Sequence, residues 1–393
     1  MGSKGIRDQV AIVGMGCTAF GEHWDKSTDD LLIEAAGEAY QSAGVERDAV
    51  DAYWLGTMGS GASGMALSEP LKIQYKPVTH VENFCATGSE ALRAACYAVA
   101  SGAYDLGMAI GVEKLKDSGF SGLVVSGVAD DGTSSTMTAP AMFSLLGPAY
   151  CKKYGLDEET LKDVLSRIAY KNHINGAKNP KAQYRKEIPM DAIKASPKVA
   201  GMLGIMDCSG VSDGAAAAII CRAEDAHKYS DHPIFVKALS CIVGPAEGHK
   251  RQEYDFTTFP EVLANGKDAY QQAGIKDPRE EISMAEVHDC FTPTELVLME
   301  DLGFSTRGEA WKDVLDGRFE LKGPQPINPD GGLKSFGHPI GASGLRMMYE
   351  MWLQFRGEAG ERQIKDPKLG LTHNLGGQPG RCVSFAAIVG ESD

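Results

Sequence analysis

The sequence lacks the features that mark secreted, membrane-spanning or nucleic-acid-binding proteins. Its nine cysteines are an odd number with no CxxC pair, so neither a disulfide framework nor a zinc ribbon is indicated. No apolar run is long enough to cross a bilayer. The 53 Asp and Glu residues outnumber 39 Lys and Arg, and the net charge of -14 argues against a broad cationic surface. We therefore expect a cytoplasmic protein that binds neither nucleic acid nor a membrane.

An internal duplication is indicated by segments of the first half that return in the same order in the second. Three pairs of segments align: AYQSAG (39–44) with AYQQAG (269–274), CATGSEALR (85–93) with HPIGASGLR (338–346), and DLGMAIGVE (105–113) with KLGLTHNLG (368–376). Their offset grows along the chain, as it does in duplicated domains with loops of unequal length. Each copy opens with a strand-like apolar run followed by an amphipathic helix, which predicts two α/β halves with buried sheets.

Residues 115–205 have no counterpart in the second half, and we predict an inserted loop domain there. The first half then comprises residues 1–114 and 206–230, and the second half comprises residues 231–393. Most of the clustered positive charge lies in the insertion: Lys152, Lys153, Arg167, Lys171, Lys178, Lys181, Arg185, Lys186 and Lys194. Such a stretch is usually a solvated surface, but in an acidic protein it is also where a phosphate-bearing ligand docks most easily.

The first predicted strand carries a dinucleotide-like pattern that we interpret as structural. Residues 14–19, GMGCTA, satisfy the pattern G-x-G-x-x-A. A nucleotide site requires the helix to begin inside the motif, whereas here the helix is predicted to begin at a Ser27 or Thr28 cap. We expect the glycines to let the strand pack closely against its neighbours.

Cys85 lies at a predicted strand-to-helix turn. The apolar residues that follow recur at helical spacing from about Thr87, so a helix should begin just after the cysteine. The dipole and free N–H groups of a helix N-terminus stabilise a thiolate, which would lower the pKa of Cys85 below the usual value of about 8.5. In the duplication His338 occupies the equivalent position. If the two helix starts meet across a pseudo-twofold axis, a thiol and an imidazole form a nucleophile–base pair.

Two further loops carry reactive groups. The segment EVHDCFTPTE (286–295) presents His288, Asp289 and Cys290 together. The segment THNLGGQPG (372–380) ends a predicted strand, and its glycines free backbone N–H groups to bind an oxyanion. The H-D-C spacing fits no standard zinc motif, so we predict no metal site.

Together these motifs resemble the thiolase superfamily. The motifs that carry the resemblance occur in the family's order: FCATGSEAL (84–92), HDCF (288–291), GHPIGASG (337–344) and NLGGQPG (374–380). HDCF and the segment KNHINGAKNPKAQYRKE (171–187) are similar to the sterol-carrier-protein type and its bacterial and archaeal relatives. The resemblance implies a duplicated α/β fold of five layers, α/β/α/β/α, with an inserted loop domain. It also implies thiolytic cleavage of a 3-oxoacyl-CoA, or the reverse Claisen condensation, with coenzyme A as a substrate and no permanently bound cofactor.

The resemblance also implies roles for individual residues. Cys85 would be the acylated nucleophile, His338 would activate it, and Cys290 would move a proton at the alpha carbon. His288 would position a water or the enolate oxygen, and the backbone N–H groups of Cys85 and Gly376 would form an oxyanion hole. Contacts with coenzyme A are expected from five residues: Lys152, Lys171, His173, Arg185 and Ser343.

Partners and alternatives follow from the same resemblance. We expect a homodimer or a dimer of dimers, and some relatives act with a small zinc-ribbon/OB-fold partner protein. One alternative is a retro-aldolase acting on steroid side-chain CoA esters, although such relatives lack the cysteine nucleophile. Another is a non-catalytic acyl-CoA or lipid-binding protein. The motifs do not distinguish acetoacetyl-CoA from long, branched or aromatic substrates such as benzoylsuccinyl-CoA.

Overall fold

The computed structural model describes residues 4–119, 124–128, 134–248 and 253–392. Its strands and helices are, in chain order, β1 (Val10–Cys17), α1 (Thr28–Ala43), β2 (Ala52–Gly56), β3 (Val78–Val81), α2 (Thr87–Ala100), β4 (Leu106–Glu113), β5 (Val124–Val128), β6 (Ser134–Thr138), α3 (Ala139–Phe143), α4 (Leu146–Tyr154), α5 (Glu158–Ala177), α6 (Met190–Lys194), β7 (Lys198–Ala200), β8 (Leu203–Gly204), β9 (Gly214–Arg222), β10 (Ile234–Val243), α7 (Pro260–Ala273), α8 (Pro278–Glu281), β11 (Met284–Glu286), α9 (Thr292–Asp301), α10 (Ala310–Leu315), α11 (Gly332–Ser335), α12 (Ser343–Phe355), β12 (Leu369–Gln378) and β13 (Arg381–Gly390).

Nine of the strands form one mixed sheet that runs through both halves. Their order is β11-β12-β13-β10-β1-β9-β4-β2-β3. The halves join in the middle, where β1 pairs antiparallel with β10 in a short ladder that includes Ala11 opposite Phe235. The other described strands form two ribbons, β5-β6 and β7-β8, within the insertion.

The two halves repeat the same arrangement, so the predicted duplication is present. The order β2-β4-β9-β1 in the first half corresponds to β11-β12-β13-β10 in the second, and α1 and α2 correspond to α7 and α12. Helices α1 and α7 each end at a glycine in the left-handed conformation, Gly44 with φ 63° and Gly274 with φ 75°. Glycine adopts this conformation without the strain that a Cβ would cause, which explains why AYQSAG and AYQQAG both end in glycine.

Alternate residues of the strands face different hydrophobic cores. In β13, Phe385 and Ala387 belong to the central core with α2 and α12, whereas Ala386 and Ile388 belong to the core that contains α7. Helix α1 covers the outer face of the first half in the same way. The layers are therefore α1, the first half of the sheet, α2 with α12, the second half of the sheet and α7, which confirms the predicted five-layered fold.

The glycines of the dinucleotide-like motif serve packing, as predicted. A Cβ atom on Gly16 would lie 2.1 Å from the Ala35 carbonyl oxygen of α1, so only glycine lets the strand and helix approach this closely. Helix α1 begins well beyond the motif, at the N-cap Ser27, which forms a capping box with Asp30. The N-terminus of α1 therefore lies outside the glycine motif.

The insertion lies between β4 and β9 of the first half. At the equivalent place in the second half, β12 and β13 are joined only by the turn at residues 379–380. All nine cysteines are free thiols. In the part of the chain that the structure describes, no helix has both the length and the apolar character needed to cross a membrane.

Candidate active site

Cys85 lies in a tight turn between β3 and the start of α2. The N–H groups of Ala86 and Thr87 donate to the carbonyl oxygens of Asn83 and Phe84, at 3.1 and 3.0 Å. Phe84 has a φ of 50°, which is a strained conformation for an aromatic residue and indicates that the turn is held firmly. The cysteine is 6% exposed. It stands immediately before α2, as the sequence predicted.

His338 lies in the loop that precedes α12. Its backbone N–H donates to Ser212 Oγ at 3.0 Å, and its ring Nδ1 lies 2.7 Å from Ser343 Oγ. Helix α12 begins only at Ser343, five residues further along. The prediction that both residues stand at the head of a helix is therefore correct for Cys85 and wrong for His338, because the second loop turns further before its helix starts.

The two loops meet because glycines remove side chains at the crossing. A Cβ on Gly88 would lie 2.6 Å from the carbonyl oxygen of Gly341, its equivalent in the duplication. A Cβ on Gly344 would lie 2.5 Å from the backbone nitrogen of Ser89. The N-terminal ends of α2 and α12 are thus in direct backbone contact, which brings Cys85 and His338 together.

Cys85, His288 and His338 form a compact buried cluster. The sulfur atom and one ring nitrogen of each histidine all lie within 4.8 Å of one another. The imidazole rings meet edge to face, with centroids 5.4 Å apart. His338 Nε2 and His288 Nδ1 have no hydrogen-bond partner within the described residues. One nitrogen of each imidazole is therefore available to a substrate next to the cysteine.

Cys290 lies beside this cluster, in the loop between β11 and α9. The N–H of Ser209 donates to its carbonyl oxygen at 2.8 Å, which ties the loop to the segment that precedes β9. Burial raises the pKa of Cys290 well above its ordinary value, and the nearby Cys85 thiolate raises it further. The structure thus brings the second cysteine to the first.

Gly376 lies within strand β12 and pairs with Val383 of β13. The predicted free glycine loop is wrong in this respect, because the strand continues to Gln378. A Cβ on Gly376 would lie 2.4 Å from the Asn83 carbonyl oxygen, so this strand end packs against the turn that carries Cys85. Gly376 is therefore in place beside the cysteine although its backbone is not in a loop.

Burial keeps the reactive groups uncharged. It raises the pKa of Cys85 to about 12, and the nearby carboxylates of Glu82 and Glu113 raise it further, whereas the cysteine's own backbone N–H lowers it. The predicted low pKa is therefore wrong, because desolvation outweighs the helix N-terminus. Burial likewise lowers the pKa of His338 to about 3 and that of His288 well below its ordinary value. At neutral pH the thiol is protonated and both imidazoles are neutral.

Three of the five predicted contacts with coenzyme A are buried and have internal partners. Lys171 Nζ lies 2.7 Å from the Ile327 carbonyl oxygen, and His173 Nε2 lies 3.2 Å from Lys334 Nζ. The Ser343 hydroxyl is bonded to the loop of His338. These bonds hold the three side chains within the protein, and all three stay predictions as contacts with coenzyme A.

The remaining two predicted contacts are at the surface. Lys152 is exposed on α4, and Arg185 is exposed with its Nη1 donating to the Pro180 carbonyl oxygen at 2.8 Å. Both stay predictions. The positive charge of the insertion is partly neutralised, since five of its nine clustered cations form ion pairs: Lys153, Arg167, Lys171, Lys181 and Lys194.

A buried charge network beneath the cluster was not predicted. Arg346 of α12 is fully buried, and its Nη1 lies 2.7 Å from Glu286 Oε2 and also contacts Asp330. Asp289 accepts hydrogen bonds from Asn172 Nδ2 at 2.7 Å and from a backbone N–H of α11 at 2.6 Å. The network fixes the loop of His288 and Cys290 to α5, α11 and α12. A buried arginine paired with two carboxylates supplies rigidity of this kind.

The duplicated five-layered fold and the buried cluster of one cysteine and two histidines are the features of a thiolase-type enzyme. The sequence matches the family models "Thiolase, N-terminal domain" over residues 10–200 and "Thiolase C-terminal domain-like" over residues 246–386. The chain belongs to the thiolase family, and it is an acyltransferase.

Similar proteins agree with this assignment. An acetyl-CoA acetyltransferase of Methanothermobacter thermautotrophicus is 36% identical over 383 residues, covering 95% of this chain and 98% of that protein. Sterol carrier protein 2 of Bos taurus is 32% identical, covering 94% of this chain and 70% of that protein. Among solved structures, the "Ltp2-ChsH2(DUF35) aldolase" has a TM-score of 0.83 at 24% identity and covers 98% of both chains. The predicted likeness to the sterol-carrier-protein type and archaeal thiolases is confirmed.

Proposed function

We propose that this protein is a thiolase that cleaves a 3-oxoacyl-CoA with coenzyme A, or runs the reverse Claisen condensation, through an acyl group carried on Cys85. The observation that supports this most is the buried cluster in which the Cys85 sulfur and a ring nitrogen of His288 and of His338 lie within 4.8 Å. A thiol next to a neutral imidazole is the pairing that activates cysteine as a nucleophile. The acetyl-CoA acetyltransferase relatives support CoA thioesters as the substrates.

In the first half-reaction His338 takes the proton of Cys85. The Ser343 hydroxyl donates to the Pro339 carbonyl oxygen at 2.9 Å, so it can only accept from Nδ1–H of His338. The lone pair of the imidazole is then on Nε2, which is free to act as a base. The sulfur attacks the ketone carbon C3, the bond between C2 and C3 breaks, and its electron pair leaves with C2 as an acyl-CoA enolate. Cys290 protonates C2.

In the second half-reaction coenzyme A is the nucleophile. The Cys290 thiolate takes the proton of the CoA thiol, and the CoA sulfur attacks the thioester on Cys85. The Cys85 sulfur leaves and recovers its proton from His338, so both cysteines and the histidine return to their starting states. The two cysteine thiols and the His338 imidazole are neutral before substrate binds. This suits the scheme, because each proton is transferred only in the step that creates the group accepting it.

Two oxyanions develop in these steps. The N–H groups of Cys85 and Gly376 would stabilise one of them, which agrees with the contact between β12 and the turn of Cys85. His288 and His338 would stabilise the other. A single oxyanion-hole donor lowers the barrier by on the order of 3 kcal/mol, an effect comparable with that of an acid/base group.

Binding of coenzyme A and assembly of the enzyme would involve further parts of the chain. Residues 115–205 would form the coenzyme-A-binding insertion, with the exposed Lys152 and Arg185 near the phosphates. The halves would be residues 1–114 with 206–230, and residues 231–393. The enzyme would act as a homodimer or a dimer of dimers, with a small zinc-ribbon/OB-fold protein as a candidate partner. The similar solved structure of the Ltp2-ChsH2(DUF35) aldolase is consistent with such a partner.

A thiolysis assay tests the proposal. The protein is incubated with acetoacetyl-CoA and coenzyme A, and acetyl-CoA is quantified by chromatography, with longer 3-oxoacyl-CoA esters tested in parallel. We expect cleavage that depends on coenzyme A and is lost in Cys85→Ala. Cleavage of a β-hydroxyacyl-CoA without coenzyme A, retained in Cys85→Ala, would instead establish the retro-aldolase alternative. Binding of acyl-CoA with no turnover of any ester would establish the non-catalytic alternative.

A further inference from the structure

The candidate active site also has the composition of a metal site. We propose that Cys85, His288 and His338 together bind one Zn²⁺ ion, and that the metal-bound enzyme is an inactive form that a chelator reactivates. Zn²⁺ prefers thiolate and imidazole ligands, and three protein ligands with an open fourth position make a common zinc geometry. No local spacing predicted this set, because its members lie on three separate loops.

The dimensions of the cluster suit a small ion. With Zn–S bonds of about 2.3 Å and Zn–N bonds of about 2.0 Å, the ligand atoms of a tetrahedral site lie roughly 3.3–3.6 Å apart. The three candidate ligand atoms already lie within 4.8 Å of one another. The ligand atoms would have to approach one another by at most about 1.5 Å, which small rotations about the χ angles of the cysteine and the histidines provide.

Two buried ring nitrogens without hydrogen-bond partners are a second, independent indication that the cluster binds an ion. His288 and His338 are 1% and 6% exposed, and His288 Nδ1 and His338 Nε2 have no partner within the described residues. His338 is also held as a zinc ligand usually is. Its other nitrogen donates to Ser343, which fixes the tautomer with the lone pair on Nε2.

The donor set selects a soft ion. The cluster contains no carboxylate, and Mg²⁺ and Ca²⁺ prefer oxygen ligands, so these ions should not compete. Coordination releases the proton of Cys85 to solvent and none from the two neutral imidazoles, and water completes the fourth position. The metal then occupies the sulfur lone pair that attacks the substrate and the nitrogen that accepts the proton. Acylation of Cys85 is therefore blocked while the ion is bound.

Metal binding is tested without any substrate, so its failure is distinguishable from failure of the proposed function. Zn²⁺ is titrated against a competing chromophoric chelator, and Co²⁺ is followed by its thiolate charge-transfer absorption. We expect one ion per wild-type chain. Affinity should fall at least ~100-fold in Cys85→Ala and in His288→Ala, and about tenfold in Ser343→Ala through loss of ligand orientation.

The controls separate this site from general thiol binding. Cys151 is partly exposed and outside the cluster, so Cys151→Ser should bind Zn²⁺ as the wild type does. Circular dichroism and thermal melts establish that each variant is folded, and Zn²⁺ should raise the Tm of the wild type and of Cys151→Ser by the same amount, that of Ser343→Ala less, and those of Cys85→Ala and His288→Ala least. Equal affinity in all the variants, absence of the cobalt–thiolate band, or no binding at micromolar Zn²⁺ would each overturn the proposal.

Discussion

Ser343 Oγ lies 2.7 Å from Nδ1 of His338 and 2.9 Å from the Pro339 carbonyl oxygen. One hydroxyl proton cannot serve both contacts, and the carbonyl can only accept, so the ring must donate from Nδ1. This relationship decides which nitrogen of His338 is available as a base. Ser343 itself is completely buried.

Removal of the Ser343 hydroxyl should weaken the base without weakening substrate binding. We expect Ser343→Ala to lower kcat about tenfold with little change in KM, since the imidazole loses its orientation and its fixed tautomer. Steady-state kinetics of thiolysis check this. Ser101→Ala is a matched control, because its hydroxyl also donates to a nearby carbonyl but lies exposed at the end of α2, and its kinetics should match the wild type. A KM effect alone in Ser343→Ala would assign the residue to binding.

Gly376 should tolerate no side chain. In Gly376→Ala the new Cβ would meet the Asn83 carbonyl oxygen at 2.4 Å and displace the turn that carries Cys85. We expect a loss of about 100-fold in kcat, comparable with removal of one oxyanion-hole donor. In contrast, a Cβ on Gly37 of α1 meets nothing within 4 Å, so Gly37→Ala should keep full activity and stabilise the protein by about 0.5–1 kcal/mol. Full activity in Gly376→Ala would remove this strand from the site.

The high pKa of Cys85 should be visible in its alkylation. The thiolate fraction of a group with a pKa of about 12 rises about tenfold for each pH unit between pH 7 and pH 9. We therefore expect the rate of iodoacetamide labelling of the Cys85 peptide, followed by mass spectrometry, to rise across this range without a plateau. A plateau near neutral pH would show that the helix N-terminus, and not burial, dominates.

Acid should destabilise the protein through its buried imidazoles. Burial lowers the pKa of His373 to about 3, so between pH 6.5 and pH 3 the unfolded chain binds a proton that the folded chain does not. The stability contributed by the neutral ring is complete above pH 6.5 and decreases as the pH falls. Lowering the pH from 7.5 to 5.5 should cost about 1.4 kcal/mol of unfolding free energy for each such residue.

The variant His373→Gln isolates one of these contributions. His373 lies in β12 with its Nε2 on Ser384 Oγ at 3.0 Å, and no catalytic role is proposed for it. Urea unfolding of both proteins at the two pH values should show that the variant loses less stability on acidification. Identical losses in the two proteins would mean that His373 is already protonated when folded.

The fold could be predicted from the sequence because the two halves still share short segments of similar sequence. Gly44 and Gly274 are needed in the left-handed conformation, and Gly88 and Gly341 are needed where the halves touch, so each pair was kept in both copies. Backbone geometry that only glycine satisfies leaves a pattern in the sequence.

The electrostatics could not be predicted in the same way. Arg93 and Arg346 are equivalent in the duplication, yet Arg93 is partly exposed beside Glu90 while Arg346 is fully buried with two carboxylates. The environment of each depends on the opposite half and on the insertion. The same holds for Cys85, whose predicted low pKa considered only its own helix, and for Lys171 and His173, which face the interior.

Trapping of the acyl group is the most direct test of the central claim that Cys85 is the acylated nucleophile. The Cys290→Ala variant is incubated with acetyl-CoA, digested at low pH and mapped by mass spectrometry, with Cys85→Ala as the reference. We predict one acetyl group on Cys85 that persists because the second half-reaction lacks its acid/base. An acetyl group on any other residue, or none on Cys85, would contradict the proposed mechanism.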